Sequence, residues 1–282
     1  MRSKLFVPGS RPELFAKALA SAADALSFDL EDAVLEDQKA EARKLVGEAL
    51  GSPEFAASKK IMIVRVNGLT TPHFEADLAA VVGPRLDLVN LPKVESVGDV
   101  RAAVQTLARL EAARGLTRPI GLLANIESPR GLRLAAEIAR ADPRVAGLQL
   151  GFADLLEPLG IDRTNPTAIQ QLQLMVRLAA GEAGLWTCDA AYGNIKDAEG
   201  YRAEALAAKR LGYLGKSCIH PSQIAPANEI FRPTEEEIAF AHRVVEAAGK
   251  TTAGAFTVDG RMIDAPFIKR AHVVLAIARQ LA

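Results

Sequence analysis

The stretch IGLLANIESPRGLRLAAEIARA, residues 120–141, contains the repeating unit of this chain in one piece. Its first part, Ile120 to Ile126, is an apolar run that predicts a buried strand. Its second part, Gly131 to Ala141, has apolar residues at the spacing of a helix. The polar residues Glu127 and Ser128 lie between the two, at the point where the strand would end. A strand that runs through polar residues into a helix is the βα unit of α/β proteins.

Seven further apolar runs resemble this one, and most are continuous rather than alternating, as expected of parallel strands covered on both faces. The stretches between them are rich in Ala, Leu, Glu and Arg at helical spacing. Eight βα units favour a (β/α)₈ TIM barrel over an open sheet. The other predicted strands are Lys4 to Val7, Ala25 to Leu30, Ile61 to Val66, Leu88 to Leu91, Gly147 to Leu150, Leu185 to Asp189 and Tyr213 to Ile219. The other predicted helices include Pro12 to Ser21, Gln38 to Leu50, Val97 to Arg114 and Ala198 to Leu211.

The last part of the chain follows a different pattern, in which no ninth buried strand is visible. PTEEEIAFAHRVVEAAGK (233–250) predicts a capped helix, TTAGAFTVDGRMIDAP (251–266) a loop or hairpin, and the remaining residues an amphipathic helix. We therefore expect a catalytic barrel over residues 1–231 and a C-terminal helical extension over 232–282. We expect this extension to pack on the barrel or to complete the site of a neighbouring subunit.

Composition excludes several classes of protein. Lys and Arg together number 34, as do Asp and Glu, so there is no basic field for binding nucleic acid or an anionic membrane. The two cysteines, Cys188 and Cys218, do not form a CxxC motif and argue against a disulfide scaffold or a structural zinc site. The first residues show no secretory signal pattern. We therefore expect a soluble protein of the cytoplasm.

Acidic residues follow the predicted strands, where the active sites of parallel barrels form. Glu127 and Asp154 come after consecutive strands, so their carboxylates can meet at the barrel mouth. Two such oxygen ligands suit Mg²⁺, with water and substrate oxygens completing the octahedron. Alternatively, each acid caps the next helix or pairs with Arg130. Three more acids lie at the end of the second strand and could hold metal-bound waters: Asp29, Glu31 and Asp32.

Two basic residues at strand ends have alternative interpretations. Arg65 ends the apolar strand IMIVRV and must meet an anion, either Asp29 or Glu31 in a salt bridge or a substrate carboxylate or enolate. Lys93 could form a Schiff base, but nearby acids would keep its ammonium charged. His220 is interpreted as a residue that fixes a local turn.

Eight short motifs then resemble one family closely. They are KLFVPGSRPE, SFDLEDAV with a following K-x-x-AR (Lys39 to Arg43), VRVNG, LPKVES, IESPRG, LGFADL, GKSCIHPSQI and GRMIDAP. Together they resemble the citrate lyase beta-subunit-like branch of the HpcH/HpaI aldolase superfamily, which includes malyl-CoA, citramalyl-CoA and citryl-CoA lyases. The resemblance runs nearly from end to end, and it implies a TIM barrel, Mg²⁺ and a coenzyme A thioester substrate.

The resemblance also implies roles for single residues. Glu127 and Asp154 are similar to the family's metal ligands, with Glu127 also at the substrate, and Arg65 is similar to the residue that binds substrate. Glu31 and Asp32 resemble acids that contact metal-bound water. Asp264 of RMIDAP occupies the position of an acid that, in the family, acts in the neighbouring subunit's site. The resemblance also implies a homotrimer. By itself, Asp264 would be interpreted as a loop or helix-capping residue.

The resemblance implies a Claisen-type lyase that cleaves a 3-hydroxy-acyl-CoA to an acyl-CoA and a 2-oxo acid. Glyoxylate, pyruvate and oxaloacetate are the alternatives for that acid. Two other functions remain open at this point. One is a malate-synthase-like enzyme that also hydrolyses the thioester, and the other is the beta subunit of a multi-component citrate lyase, which acts on an acyl-carrier thioester.

Overall fold

The structure is a computed structural model that describes residues 1–281. Within them, eight parallel strands close into a barrel in chain order, and helices surround the barrel. The predicted TIM barrel is thus confirmed, and each strand lies within two residues of its predicted start. The strands are β1 (Ser3–Pro8), β2 (Ala25–Asp29), β3 (Ile61–Arg65), β4 (Leu88–Leu91), β5 (Gly121–Ile126), β6 (Val145–Leu150), β7 (Trp186–Asp189) and β8 (Gly215–Cys218).

The helices follow the strands as the sequence predicts. In the barrel they are α1 (Phe15–Ala20), α2 (Lys39–Gly51), α3 (Pro53–Ala57), α4 (Phe74–Val81), α5 (Val97–Ala113), α6 (Pro129–Arg133), α7 (Ala135–Ala139), α8 (Phe152–Leu156), α9 (Pro166–Glu182), α10 (Ala198–Arg210) and α11 (Ile224–Ile230). The single helix predicted for Gly131 to Ala141 is wrong in detail, because it is two short helices. Leu134, at φ −103° and ψ 14°, leaves the helical conformation and separates them.

Strand register brings site residues to one level. Asp29 pairs with Arg65 across β2 and β3, and Arg65 pairs with Asn90 across β3 and β4. Because side chains alternate along a strand, every second residue points into the barrel. On β2 the other face packs outward, where Phe28 meets the ring of Phe15 at 4.9 Å. The register therefore places polar strand-end residues side by side above an apolar outer layer.

The chain divides into two compact units, Met1–Asn228 and Glu229–Ala282. The second begins at Glu229, within α11. It contains α12 (Glu235–Gly249), the antiparallel hairpin of β9 (Phe256–Val258) and β10 (Arg261–Ile263), and α13 (Ala265–Leu281). Thr234 begins α12 with a capping box, since its side chain accepts from the Glu237 amide and Glu237 accepts from the Thr234 amide. The apolar core of the second unit includes Ala241, Val244, Val258, Ile263 and Leu275.

None of the helices in the described residues is long and apolar enough to span a membrane.

Candidate active site

Charged side chains meet at the barrel mouth, at the carboxyl ends of β2 to β6 and in the loops that follow. Since all barrel strands are parallel, these ends lie on one side of the barrel. Ion pairs and hydrogen bonds join the side chains into a group that we call the charged cluster. It consists of Asp29, Glu31, Asp32, Arg65, Lys93, Glu127 and Asp154. The structure thus brings together every candidate site residue of the barrel.

Arg65 and Asp29 form the most buried ion pair of the cluster. Arg65 Nε donates to Asp29 Oδ1 at 2.7 Å, and Nη2 donates to Asp29 Oδ2 at 2.6 Å. Asp29 also accepts the amides of Glu31 (3.0 Å) and Ala33 (3.1 Å). Burial acts to raise the pKa of Asp29, but the Arg65 guanidinium outweighs it and holds this pKa below its usual range. Asp29 is therefore an ionised partner that fixes the guanidinium plane of Arg65.

The third nitrogen of Arg65 faces the next two acids. Nη1 lies 2.9 Å from Glu31 Oε2 and 3.3 Å from Asp32 Oδ2. The ring of Phe6 supports the guanidinium, with 5.1 Å from Arg65 Cζ to the ring centroid. Arg65 thus forms the salt bridges with Asp29 and Glu31 that the sequence suggested. Its Nη1 is the nitrogen that faces the other acids of the cluster.

Lys93 is the second cation among the acids. Its Nζ lies 2.9 Å from Glu31 Oε1 and 3.7 Å from both Asp32 Oδ1 and Asp154 Oδ1. Partial burial acts to lower the pKa of Lys93, but the hydrogen bond and attraction of Glu31, with Asp32 and Asp154, raise it above its usual value. A charged ammonium is a poor nucleophile, so this environment argues against the Schiff-base role.

The backbone of Lys93 also contributes to the site. Its φ of 52° lies in the left-handed region, which is unusual for a residue with a side chain. In this conformation its amide donates to Glu127 Oε1 at 2.6 Å. The strained backbone of Lys93 therefore fixes the orientation of the Glu127 carboxylate.

Glu127 is buried, with 3% of its surface exposed. Burial, and next the negative charge of Glu31, raise the pKa of Glu127 to about 7. Asn125 Nδ2 lies 3.4 Å from its Oε2. Gly151 leaves room for this side chain, because a Cβ at that position would lie 2.7 Å from Glu127 Cβ and still closer to its carboxylate.

These residues fit a magnesium ion. Asp154, in the first turn of α8, is partly exposed, and its charge helps to raise the pKa of the buried Glu127. Two neighbouring carboxylates repel each other unless a cation lies between or beside them. In this structure the ammonium of Lys93 lies between Asp154 and Glu31. In residues 1–281 no three His, Cys, Asp or Glu side chains group so as to enclose a metal by themselves. Two carboxylates with water and substrate oxygens suit Mg²⁺.

The alternative roles of the two metal-ligand candidates find little support. Ser128, rather than Glu127, caps α6, since its Oγ accepts the amide of Gly131 at 3.0 Å. Within the described chain, neither Glu127 nor Asp154 forms an ion pair with Arg130. Arg130 instead lines a cavity of about 780 Å³ beside the charged cluster. The cavity is also lined by Glu31, Asp32, Asn67, Thr70 and Lys93.

Asp264 lies in the second unit, just before α13. Its Oδ1 is buried and has no hydrogen-bond partner among the described residues. Among the described residues, Oδ1 therefore does not cap α13. An unsatisfied buried carboxylate oxygen is costly, and such groups are often retained for function.

Sequence reasoning missed the contacts that hold the cluster from outside. The ring of Phe6 beneath Arg65 and the ammonium of Lys39 behind the loop of Glu31 were not predicted. Lys39 had one signal, its place in the K-x-x-AR motif, whereas Phe6 was hidden in an ordinary apolar strand. His220 was assigned correctly, since its Nδ1 accepts the amide of Ser222 at 3.2 Å in a local turn.

A closed parallel barrel with acids and bases gathered at the carboxyl ends of its strands defines a TIM-barrel enzyme. Residues 2–221 match the family described as HpcH/HpaI aldolase/citrate lyase, and the chain belongs to that family. The family and the carbon–carbon lyase class expected from the motifs are thereby confirmed.

The relatives have related activities. L-malyl-CoA/beta-methylmalyl-CoA lyase of Cereibacter sphaeroides is 36% identical over 305 residues, covering all of this chain and 95% of the relative. (3S)-malyl-CoA thioesterase of the same species is 38% identical over 285 residues, with the same coverage. CitE of Mycobacterium tuberculosis, solved with magnesium, acetoacetate and coenzyme A, is 34% identical with a TM-score of 0.78. That alignment covers 99% of this chain and all of the CitE chain.

Proposed function

We propose that the protein is an Mg²⁺-dependent lyase that cleaves or forms a 3-hydroxy-acyl-CoA, releasing or consuming an acyl-CoA and a 2-oxo acid. The observation that carries this proposal is the pair Glu127 and Asp154 in a cluster that also contains Arg65 and Lys93. The prediction of Mg²⁺ and coenzyme A agrees with the ligands of M. tuberculosis CitE. Other solved structures of CitE or citrate lyase beta subunit from that organism hold magnesium with oxaloacetate or with pyruvate, which supports a 2-oxo acid as the second substrate.

Glu127 and Asp154 would hold Mg²⁺, which supplies Lewis-acid polarisation of the 2-oxo acid oxygens. Glu31 and Asp32 would accept hydrogen bonds from water around the ion. Arg65 keeps its plane through Asp29 and presents Nη1 to charge that develops on the reacting oxygen. Because this guanidinium is preorganised, little reorganisation is needed when the charge appears.

Asp264 would exchange a proton with the carbon of the acyl group in a neighbouring subunit's site. Its buried, unpaired Oδ1 supports a functional role. The homotrimer and the cytoplasmic location remain predictions, and the role of the extension, residues 232–282, remains one as well. Size measurement in solution tests the first of these.

A substrate screen tests the proposed reaction. The purified enzyme with Mg²⁺ is incubated with malyl-CoA, citramalyl-CoA or citryl-CoA, and the released 2-oxo acid is measured. We expect one of them to be cleaved without any partner protein. If none of the three is cleaved, and cleavage appears when an acyl-carrier partner is added, the result would instead support the citrate lyase subunit.

Thioester hydrolysis is the second candidate function, and the identity to (3S)-malyl-CoA thioesterase favours it. The two reactions release different products, because a hydrolase frees the thiol of coenzyme A and a lyase leaves an acyl-CoA. A thiol reagent added to the same screen separates them. Thiol release without a 2-oxo acid would contradict the lyase and support the hydrolase.

A further inference from the structure

Lys39 holds the loop that carries Glu31 and Asp32 from its outer side. It is the first residue of α2 and is buried. Its Nζ donates to the carbonyl oxygen of Leu30 at 3.1 Å and to that of Glu31 at 2.9 Å. Hydrogen bonds from a charged donor are stronger than neutral ones, so this contact constrains the backbone of the loop.

A second set of contacts ties the same loop to the next strand. Asn67 Nδ2 donates to the Leu30 carbonyl at 2.8 Å. The fully buried carboxylate of Asp77 fixes Asn67, accepting its backbone amide at 2.9 Å and its Nδ2 at 2.6 Å. Asp77 in turn accepts Arg43 Nε at 2.7 Å. The residues of K-x-x-AR and VRVNG thus form one support behind the loop.

The inner side of the loop is held differently. There the Asp29 carboxylate accepts the amides of Glu31 and Ala33. The backbone around Glu31 is therefore bound through its amides from within and through its carbonyls from without. As a result, the Glu31 carboxylate lies between Arg65 and Lys93, at 2.9 Å from a nitrogen of each.

We propose that Lys39 is a positioning residue, which acts through the backbone of the loop to aim the carboxylates of Glu31 and Asp32 at the metal position. The inference rests on the proposed function of the charged cluster. Lys39 bonds to two main-chain carbonyls, and this bonding accounts for a lysine in a buried place where an apolar side chain would pack at lower cost. Partners that orient the groups around a metal commonly change its affinity by about 10-fold to 100-fold.

Three variants test the inference: Lys39→Met, which keeps the apolar stem, Lys39→Arg, which keeps a donor and its charge, and Lys44→Met. Lys44 is an exposed lysine of the same helix and serves as the matched control. Mg²⁺ affinity is measured by calorimetry and thermal stability by unfolding. For Lys39→Met we expect Mg²⁺ binding weaker by about 10-fold or more. We expect partial recovery in Lys39→Arg and wild-type behaviour in Lys44→Met.

The measurements separate positioning from simple stabilisation. A lower melting temperature for Lys39→Met with wild-type Mg²⁺ affinity would overturn the inference and leave the proposed function intact. Wild-type enzyme that binds no Mg²⁺ would overturn both. If Lys39→Met does not fold, Lys39→Gln takes its place, since this side chain is polar but too short to keep both carbonyl contacts, and unchanged Mg²⁺ affinity in that variant would likewise overturn the inference.

Discussion

Lys4 and Lys216 are two fully buried lysines on neighbouring strands with opposite surroundings. Lys216 Nζ binds Asp189 at 2.6 Å, the Ala190 carbonyl at 2.8 Å and also Glu204. Lys4 Nζ has no hydrogen-bond partner in the described structure and lies 3.9 Å from the ring centroid of Phe6. A buried ammonium without a partner is costly, whereas one with two carboxylates is compensated.

Lys4 should make the folded state sensitive to pH. Burial lowers the pKa of Lys4 from 10.5 to about 7. Between these values the unfolded chain binds one more proton than the folded chain, so stability rises with pH by up to about 1.4 kcal/mol per unit. We expect Lys4→Met to stabilise the metal-free protein most near pH 7 and progressively less towards pH 10. Denaturant unfolding at several pH values measures this, and an equal effect at every pH would contradict it.

Lys216→Met is the matched comparison and should behave in the opposite way. Removing this ammonium leaves Asp189 and Glu204 buried without their shared partner. Losing one member of a buried ion pair costs roughly 3–5 kcal/mol. We therefore expect a large loss of stability near neutral pH in the same unfolding assay. A loss below about 1 kcal/mol would show that the network is dispensable.

Glu127→Gln tests the metal site directly. The amide keeps the shape of the side chain but loses the charge that an Mg²⁺ ion requires. We expect Mg²⁺ affinity to fall by more than about 100-fold, beyond the effect of an indirect partner. Calorimetry measures the affinity, with Glu157→Gln as an exposed control in the 3-10 helix that follows α8. Tight Mg²⁺ binding by Glu127→Gln would remove Glu127 from the site.

Asp264→Asn separates binding from proton transfer. The variant should bind Mg²⁺ and the 2-oxo acid as the wild type does, because neither ligand depends on this carboxylate in the proposed mechanism. Turnover should fall by about 10²-fold to 10⁴-fold, the usual contribution of a positioned acid or base. Steady-state kinetics and calorimetry together give both quantities. Unchanged turnover would end the proposed role.

At the level of elements, the sequence predicted the strands well and their connections less well. Continuous apolar runs, such as Ile61–Arg65, identify strands because parallel strands are buried on both faces. The charges after each run identified the cluster, since parallel strands end at one side. The hydrogen bond from the Lys93 amide to Glu127 could not be predicted, because Lys93 adopts a left-handed φ although it is not glycine. The break at Leu134 was invisible for a similar reason, since it lies in one backbone dihedral angle.

The capping box of α12 gives a prediction for an element of the second unit. Thr234→Ala removes the hydroxyl that accepts the Glu237 amide at 3.1 Å. We expect a loss of about 1 kcal/mol in the stability of this unit, the usual value for such a cap. Chemical denaturation measures it, with the exposed Thr252→Ala as a control in the same unit. Equal stability of the two variants would contradict the prediction.

At the scale of the whole molecule, the zero net charge conceals a separated pattern. Five of the acids lie together at the barrel mouth with two cations, and this excess of negative charge suits a divalent ion. Composition argued against polyanion binding, but only the strand ends located the cluster. The pattern of strands and helices could not predict a functional role for Asp264. This residue follows a hairpin in the second unit, and no repeating βα pattern connects it with the strand ends of the barrel.

Mixing two inactive variants tests whether Asp264 acts in a neighbouring subunit. The purified Glu127→Gln and Asp264→Asn proteins are mixed, dissociated into subunits and reassembled. If the acid works between subunits, some sites receive an intact Glu127 from one chain and an intact Asp264 from the other, so activity returns. Each variant reassembled alone should stay inactive. No recovery in the mixture, with mixed oligomers shown by mass measurement, would place Asp264 in its own subunit's site.

The lack of a side chain at Gly151 has a consequence for the evolution of this enzyme. A methyl group there would collide with Glu127, so a side chain at 151 requires either a displaced or a smaller residue at 127. A descendant that acquires alanine at 151 would have to displace the Glu127 carboxylate from its present position, and with it a ligand of the proposed metal. We expect the two positions to separate relatives that still perform metal chemistry from those that have kept the barrel for other purposes.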